Sequence, residues 1–175
     1  MDDAKKAEAI AIAATKKLKD LKYKDALDLF NQAIKASKTF CGNNPYFYSR
    51  RGECFMKLGF FDEAIQDISK ACELDARPDL KHELCSAYFY SGQYERAIDS
   101  IDCLILEISE DETYLAGYCF LLMAAAYHKL EDRDNMYTCL EKAAERDIDD
   151  ISVLTYGEMY DDISEEDRFV AIFDP

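Results

Sequence analysis

The chain has 175 residues, with 21 Lys and Arg against 36 Asp and Glu, a net charge of −15. That balance argues against a general nucleic-acid binder and against docking on anionic lipid, because both need cations facing phosphates. Apolar residues make up 49% and charged residues 33%, a globular composition, and no apolar run nears the ~20 residues that span a bilayer.

The helical period runs through the chain from its start. The apolar run Ala9–Ala14 sits between lysines and follows Asp2 and Asp3, which makes it a poor secretory signal and a good helix. Helices are predicted at about 4–20 and 23–37, then 45–58 and 61–75, then 78–91 and 94–108, then 113–129 and 133–146. Pro45 and Pro78 each open a helix, where a missing N–H costs nothing. Gly59 and Gly92 close one and permit the left-handed turn into the next. Asp149 and Asp150 are placed to cap a ninth helix at about 150–160, with Ile151 and Leu154 covering the end of the array.

The last stretch, 161–175, is an acidic run followed by Phe169-Val170-Ala171-Ile172-Phe173. From Glu145 onward there are 11 acidic and 2 basic residues, more than half of the net charge. Two readings are open for it: a solvated, partly disordered tail, or a short recognition segment or self-docking strand, because five apolar residues together are more than a solvated tail needs. A docked Phe169–Phe173 is expected to fill the binding groove described below as a placeholder.

Seven cysteines stand singly, at Cys41, Cys54, Cys72, Cys85, Cys103, Cys119 and Cys139. An odd number with no CxxC spacing fits neither a disulfide framework nor a zinc site. Each falls in an apolar-periodic stretch, so buried thiols in a reducing, cytoplasmic setting are expected.

The chain also repeats itself. An alanine, an apolar residue four on and a small or apolar residue seven on recur as Ala26/Phe30/Ala33, Ala64/Ile68/Ala71, Ala97/Ile101/Leu104 and Met136/Leu140/Ala143. The copies are spaced by 38, 33 and 39 residues. The surplus falls in the turn-rich stretches Thr39–Pro45 and Ser109–Thr113. The second copy is the fullest, with Tyr48, Gly52, Phe55, Gly59, Phe61, Ala64 and Ala71 in order, and the third offers Tyr88, Gly92, Tyr94 and Ala97. The first and fourth have Ala14 and Ala124 where Gly52 stands, and Leu21 and Glu131 where Gly59 stands. Small residues at Gly52, Ala64 and Ala71 let two helices approach closely, and the aromatics fill the space beside them.

This pattern resembles the tetratricopeptide repeat, whose unit is about 34 residues. The resemblance implies an all-α fold, a right-handed solenoid of helical hairpins. Its repeats would lie at about 7–40, 45–77, 78–111 and 117–148, closed by the helix at 150–160, with 161–175 as a separate tail. It also implies that the first helix of each hairpin lines a concave surface that takes an extended peptide or a helix of another protein. By phase the groove positions are Glu8, Ala11, Thr15 and Lys19, then Tyr46, Ser49, Arg50, Glu53 and Lys57. The third hairpin adds Asp79, His82, Glu83, Ser86, Phe89 and Tyr90, and the fourth Tyr118, Leu121, Ala125, His128 and Lys129. Such a mixed face suits a peptide with apolar anchors and charges of both signs.

Co-chaperones of this family grip a terminal carboxylate with converging cations and amides. Here Ala11, Thr15, Arg50, Asp79 and Glu83 stand at those five positions, and two cations have become carboxylates, so that clamp is not expected. No glycine-rich phosphate loop, HExxH or GxSxG is present, so no enzyme and no cofactor are predicted. His82 and His128 lie a repeat apart without an i, i+4 partner, so a pH-sensitive contact is expected there before a metal site. The expected function is a protein-binding adaptor. The alternatives are a chaperone-like holder of client polypeptides and, behind it, a subunit of an oligomer that meets other copies through groove or tail.

Overall fold

A computed structural model describes residues 3–37, 44–109, 112–146, 163 and 166–173. All regular elements among them are helices: α1 (Asp3–Lys19), α2 (Tyr23–Ser37), α3 (Pro45–Leu58), α4 (Phe61–Leu74), α5 (Pro78–Tyr90), α6 (Tyr94–Ile105), α7 (Thr113–Lys129), α8 (Arg133–Ala144) and α9 (Asp167–Phe173). The first eight fall where the period places them, although α6 stops three residues short. The predicted helix at 150–160 lies outside the described residues, as does the connection at 38–43. None of the described helices is long and apolar enough to cross a membrane.

The chain divides into two compact units, residues 1–91 and 92–175. In the first, α1 pairs with α2 and α3 with α4, and α1, α3 and α5 meet along one side. Its core joins Ala14, Ala26, Phe30 and Ala33 of the first hairpin to Phe47, Tyr48, Cys54 and Ala71 of the second. The helices touch closely because small residues stand at the crossings. A Cβ built on Gly52 would come within 2.6 Å of Ile68 Cγ1 and 3.3 Å of the Ala64 carbonyl oxygen. Arg51 ties the layers together. Its Nε and Nη2 donate to the two Asp67 carboxylate oxygens of α4, each at 2.6 Å, and Nη1 donates to Asn31 Oδ1 of α2 at 2.7 Å.

The turns obey capping chemistry. Asn44 Oδ1 accepts from the Tyr46 N–H at 3.0 Å, and Pro45 begins α3. Gly59 ends it at φ +80°, with its N–H on the Met56 carbonyl and the Phe60 N–H on Phe55. Leu21 and Glu131 take the same left-handed conformation, at φ +58° and +61°. They keep the repeat's turn geometry without its glycine, at a cost of about 1 kcal/mol each.

In the second unit α7 packs on both α6 and α8. From Ala116 to Ala126 every α7 side chain except Tyr118 is buried, as expected of a helix apolar on all sides. The C-terminal segment docks on its own chain, as a helix rather than the expected strand and on α8. Residues 167–173 form α9, which lies against α8, with Ile163 and Phe169 buried.

The thiol expectation holds for Cys54, Cys85, Cys119 and Cys139, which are buried; Cys72 is half-buried and Cys103 exposed. Burial pushes the Cys54 thiol up to about 12 and those of Cys72 and Cys139 to about 11, which disfavours the thiolate at these three positions.

Candidate functional site

The first unit brings most of the predicted groove residues together, and ties several of them to one another. Thr15 of α1 and Tyr46 of α3 share a hydrogen bond between their hydroxyls at 2.9 Å. The Arg50 guanidinium stacks 5.4 Å from the Tyr46 ring centroid, and its Nη1 donates to Glu53 at 2.8 Å. Ser49 Oγ donates to Glu83 of α5 at 2.6 Å. Side chains spaced i, i+3 and i+4 on α3 thus reach both neighbours, which is why one face of α3 organises the whole surface.

These contacts set the local electrostatics. Burial pulls the Arg50 pKa down, but the Glu53 hydrogen bond and charge outweigh it and leave it raised. Burial pushes the Glu83 carboxyl above its ordinary value, against the opposing pull of Ser49 and Arg50. His82 is kept neutral by burial, which lowers its pKa, and its Nε2 meets no hydrogen-bond partner. The residue is half-buried, with its Nε2 closed off from solvent.

Phe89 corrects the sequence expectation more sharply, since it is 4% exposed while its neighbour Tyr90 is 40% exposed. The two rings meet edge to face at 5.3 Å, so Tyr90 presents the aromatic surface and Phe89 supports it. Ser49 is likewise buried, Ser86 half-buried and Lys57 exposed.

Beside the Thr15–Tyr46 pair opens a cavity of about 800 Å³. It is lined by Ala4, Ala7, Ala11 and Ile12 of α1 and by Tyr46 and Phe47 of α3. Glu8, Lys16 and Lys19 add charge to the lining, and Ser37 and Asn44 add polar groups. Ile12 is 67% and Tyr46 39% exposed, so apolar area stands open to solvent on both sides. Ile12 escaped the phase reading although it sits on the same stripe as Glu8, Thr15 and Lys19; the i, i+4, i+7, i+11 spacing was there to find it.

In the second unit the predicted residues divide. Tyr118 is half-buried, its hydroxyl donates to that of Tyr114 at 3.1 Å, and the two rings meet edge to face at 4.9 Å. Leu121 and Ala125 are fully buried and belong to the core, which corrects their assignment to an open lining. His128 is half-buried and Lys129 is exposed. No group of three or more His, Cys, Asp or Glu side chains among the described residues is arranged to hold a metal ion.

The sequence profile of the tetratricopeptide repeat matches residues 45–78 and 118–149, the second and fourth hairpins as phased from the alanines. The chain carries tetratricopeptide repeats. Among curated proteins it is similar to sperm-associated antigen 1 of Rattus norvegicus, 33% identical over 75 residues, which is 43% of this chain and 8% of that protein. It is also similar to small glutamine-rich tetratricopeptide repeat-containing protein 2 of Mycosarcoma maydis, 28% identical over 57% of this chain and 27% of that protein. A third relative is Hsp70-Hsp90 organizing protein 3 of Arabidopsis thaliana, at 27% over 57% of this chain and 17% of that protein. The chain therefore spans about a quarter or less of each of these relatives.

Two solved structures share the fold. MamA of Desulfovibrio magneticus aligns with a TM-score of 0.71 at 16% identity, over 98% of this chain and 90% of that one. YrrB, described as a tetratricopeptide-repeat protein with an unusual peptide-binding site, aligns at 0.67 with 20% identity, over 80% of this chain and 68% of that one.

Proposed function

We propose that the chain is a protein-binding adaptor that takes a peptide segment or helix of another protein on the α1–α3–α5 face of its first unit. The observation that carries this is the cavity of about 800 Å³ between α1 and α3, open at Ile12 and Tyr46. A cleft of that volume, with apolar and polar lining residues together, has room for several side chains of a peptide. Lys16 and Lys19 in that lining favour an acidic residue in the peptide, even though the chain as a whole is acidic.

Three findings support the reading. Tetratricopeptide repeats recur in both units, the curated relatives include an Hsp70-Hsp90 organizing protein, and YrrB is described by its peptide-binding site. The grip differs from a terminal-carboxylate clamp. Arg50 is already engaged by Glu53, and Glu83 by Ser49, so the groups at the clamp positions serve the surface itself. Side-chain anchoring in the cavity takes the clamp's place, and no catalytic step is involved.

The test is capture of a defined peptide. Peptides selected from a random library on the wild-type chain should lose binding by about tenfold or more with Ile12→Asp, the effect expected when a charge enters an apolar pocket. Retained binding with Ile12→Asp and with Tyr46→Ala would remove the cavity from the function.

A further inference from the structure

The last helix is too short to stand alone. Seven residues close fewer than two turns, far below the roughly 12–15 at which an isolated helix becomes marginal in water. It is helical because α8 holds it, and the holding contacts follow one stripe of α8: Arg133, Tyr137 and Glu141, spaced i, i+4, i+8. Glu166 accepts from Arg133 and from Tyr137 Oη, the latter at 2.6 Å. Arg168 donates to Glu141 Oε1 from Nη2 at 2.9 Å and from Nε at 3.2 Å, and its guanidinium lies 4.6 Å from the Tyr137 ring centroid. Ile163 and Phe169 supply the buried apolar area.

The charge order fixes a direction. Turning the docked segment end for end would set Glu166 against Glu141 and Arg168 against Arg133. Both ion pairs remain about half exposed, so they select register and orientation more than they add affinity. What anchors the segment is two apolar side chains and a short helix that must order as it binds, a combination that opens locally at low cost.

We propose that this face of α8 is a docking site for a short amphipathic helix of a partner protein, one carrying an acid, a base two residues later and an aromatic beside it, and that α9 is its resident placeholder. The chemistry of the visitor is defined by the contacts of the resident. Any visitor lacks the tether that gives the resident its high effective concentration, so a second copy's α9, being no better matched than the resident, is a poor competitor. A partner helix longer than two turns has the advantage, since it arrives ordered and loses less freedom on docking.

The experiment uses the 175-residue chain and a labelled synthetic peptide, Ile163–Phe173 extended at both ends by alanine- and lysine-based helix. In the chain bearing Glu166→Arg the α9 amides should exchange hydrogen faster than in the wild type while the α7 and α8 amides stay protected. That chain should bind the peptide about tenfold more tightly than the wild type, whose own helix competes. Arg133→Glu should weaken binding, and a peptide with Arg at its Glu166 position should restore it. The proposal is overturned by unchanged α9 exchange in Glu166→Arg, by the absence of saturable binding once α9 is released, or by binding indifferent to Arg133→Glu. It is also overturned if sedimentation shows wild-type dimers that Glu166→Arg dissolves, because the face would then belong to a second copy.

Discussion

The close approach of α3 and α4 rests on an absent methyl group. Gly52→Ala would place a Cβ 2.6 Å from Ile68 Cγ1, 3.2 Å from its Cδ1 and 3.3 Å from the Ala64 carbonyl oxygen. Ile68 is fully buried, and its Cγ1 is near the backbone, so the side chain cannot swing clear without disturbing the core. Overpacking of this kind costs roughly 1–3 kcal/mol. Against it stands the gain of about 1 kcal/mol when glycine becomes alanine inside a helix. The net expectation is destabilisation of about 1 kcal/mol, measured by urea unfolding followed by circular dichroism. The mechanism is checked with Ile68→Ala, which alone should cost about 2–5 kcal/mol. In the double variant the new methyl sits in the space Ile68 vacates, so the two costs should fall short of additive by about 1 kcal/mol. A stabilising Gly52→Ala, or strict additivity, would show that the methyl meets no resistance and that the close crossing is not what glycine is there for.

Three further outcomes follow from particular residues. Glu131→Gly should stabilise the chain by about 0.5–1 kcal/mol in the same unfolding assay, because the left-handed turn at φ +61° then carries no Cβ strain; a loss of stability would refute the strain. Asp67→Ala should cost about 2–4 kcal/mol, since it strips both charged hydrogen bonds from the largely buried Arg51 guanidinium, whose pKa the Asp67 hydrogen bond raises; a change within 0.5 kcal/mol, roughly the surface range, would count against the pin. His82 has its folded-state pKa lowered by burial, so its contribution is full above its ordinary value of 6.5 and is lost as pH falls from there through the depressed value. The wild type should therefore lose stability relative to His82→Gln as pH drops below 6.5, and parallel pH profiles for the two chains would contradict it.

Much of the fold was legible because it follows from spacing. The alanine triplets fixed which helices pair, and Gly59 and Gly92 marked left-handed turns; that Leu21 and Glu131, in the same slot, also turn left-handed was not legible, because neither residue favours that conformation. Phase assigns a residue to a face but says nothing of depth. That is why Phe89 and Leu121 were expected open and are buried. Nor does phase reveal pairing between groove residues, such as Ser49 with Glu83, which depends on the distance between α3 and α5. The α9 helix was hidden for a different reason. Its seven residues have no intrinsic helical preference that could outweigh an acidic flank, and its structure comes from Arg133, Tyr137 and Glu141, more than twenty residues earlier in the chain.

The most direct measurement of the binding account is photo-cross-linking from a benzophenone amino acid placed at Ile12, 67% exposed at the cavity mouth, with Leu106, 88% exposed in the second unit, as the control position. A library-selected peptide should cross-link from position 12 and not from 106, and should lose that cross-link when Tyr46→Ala is added. Equal labelling from both positions, or labelling at 12 that survives Tyr46→Ala, would mean that the peptide seats elsewhere.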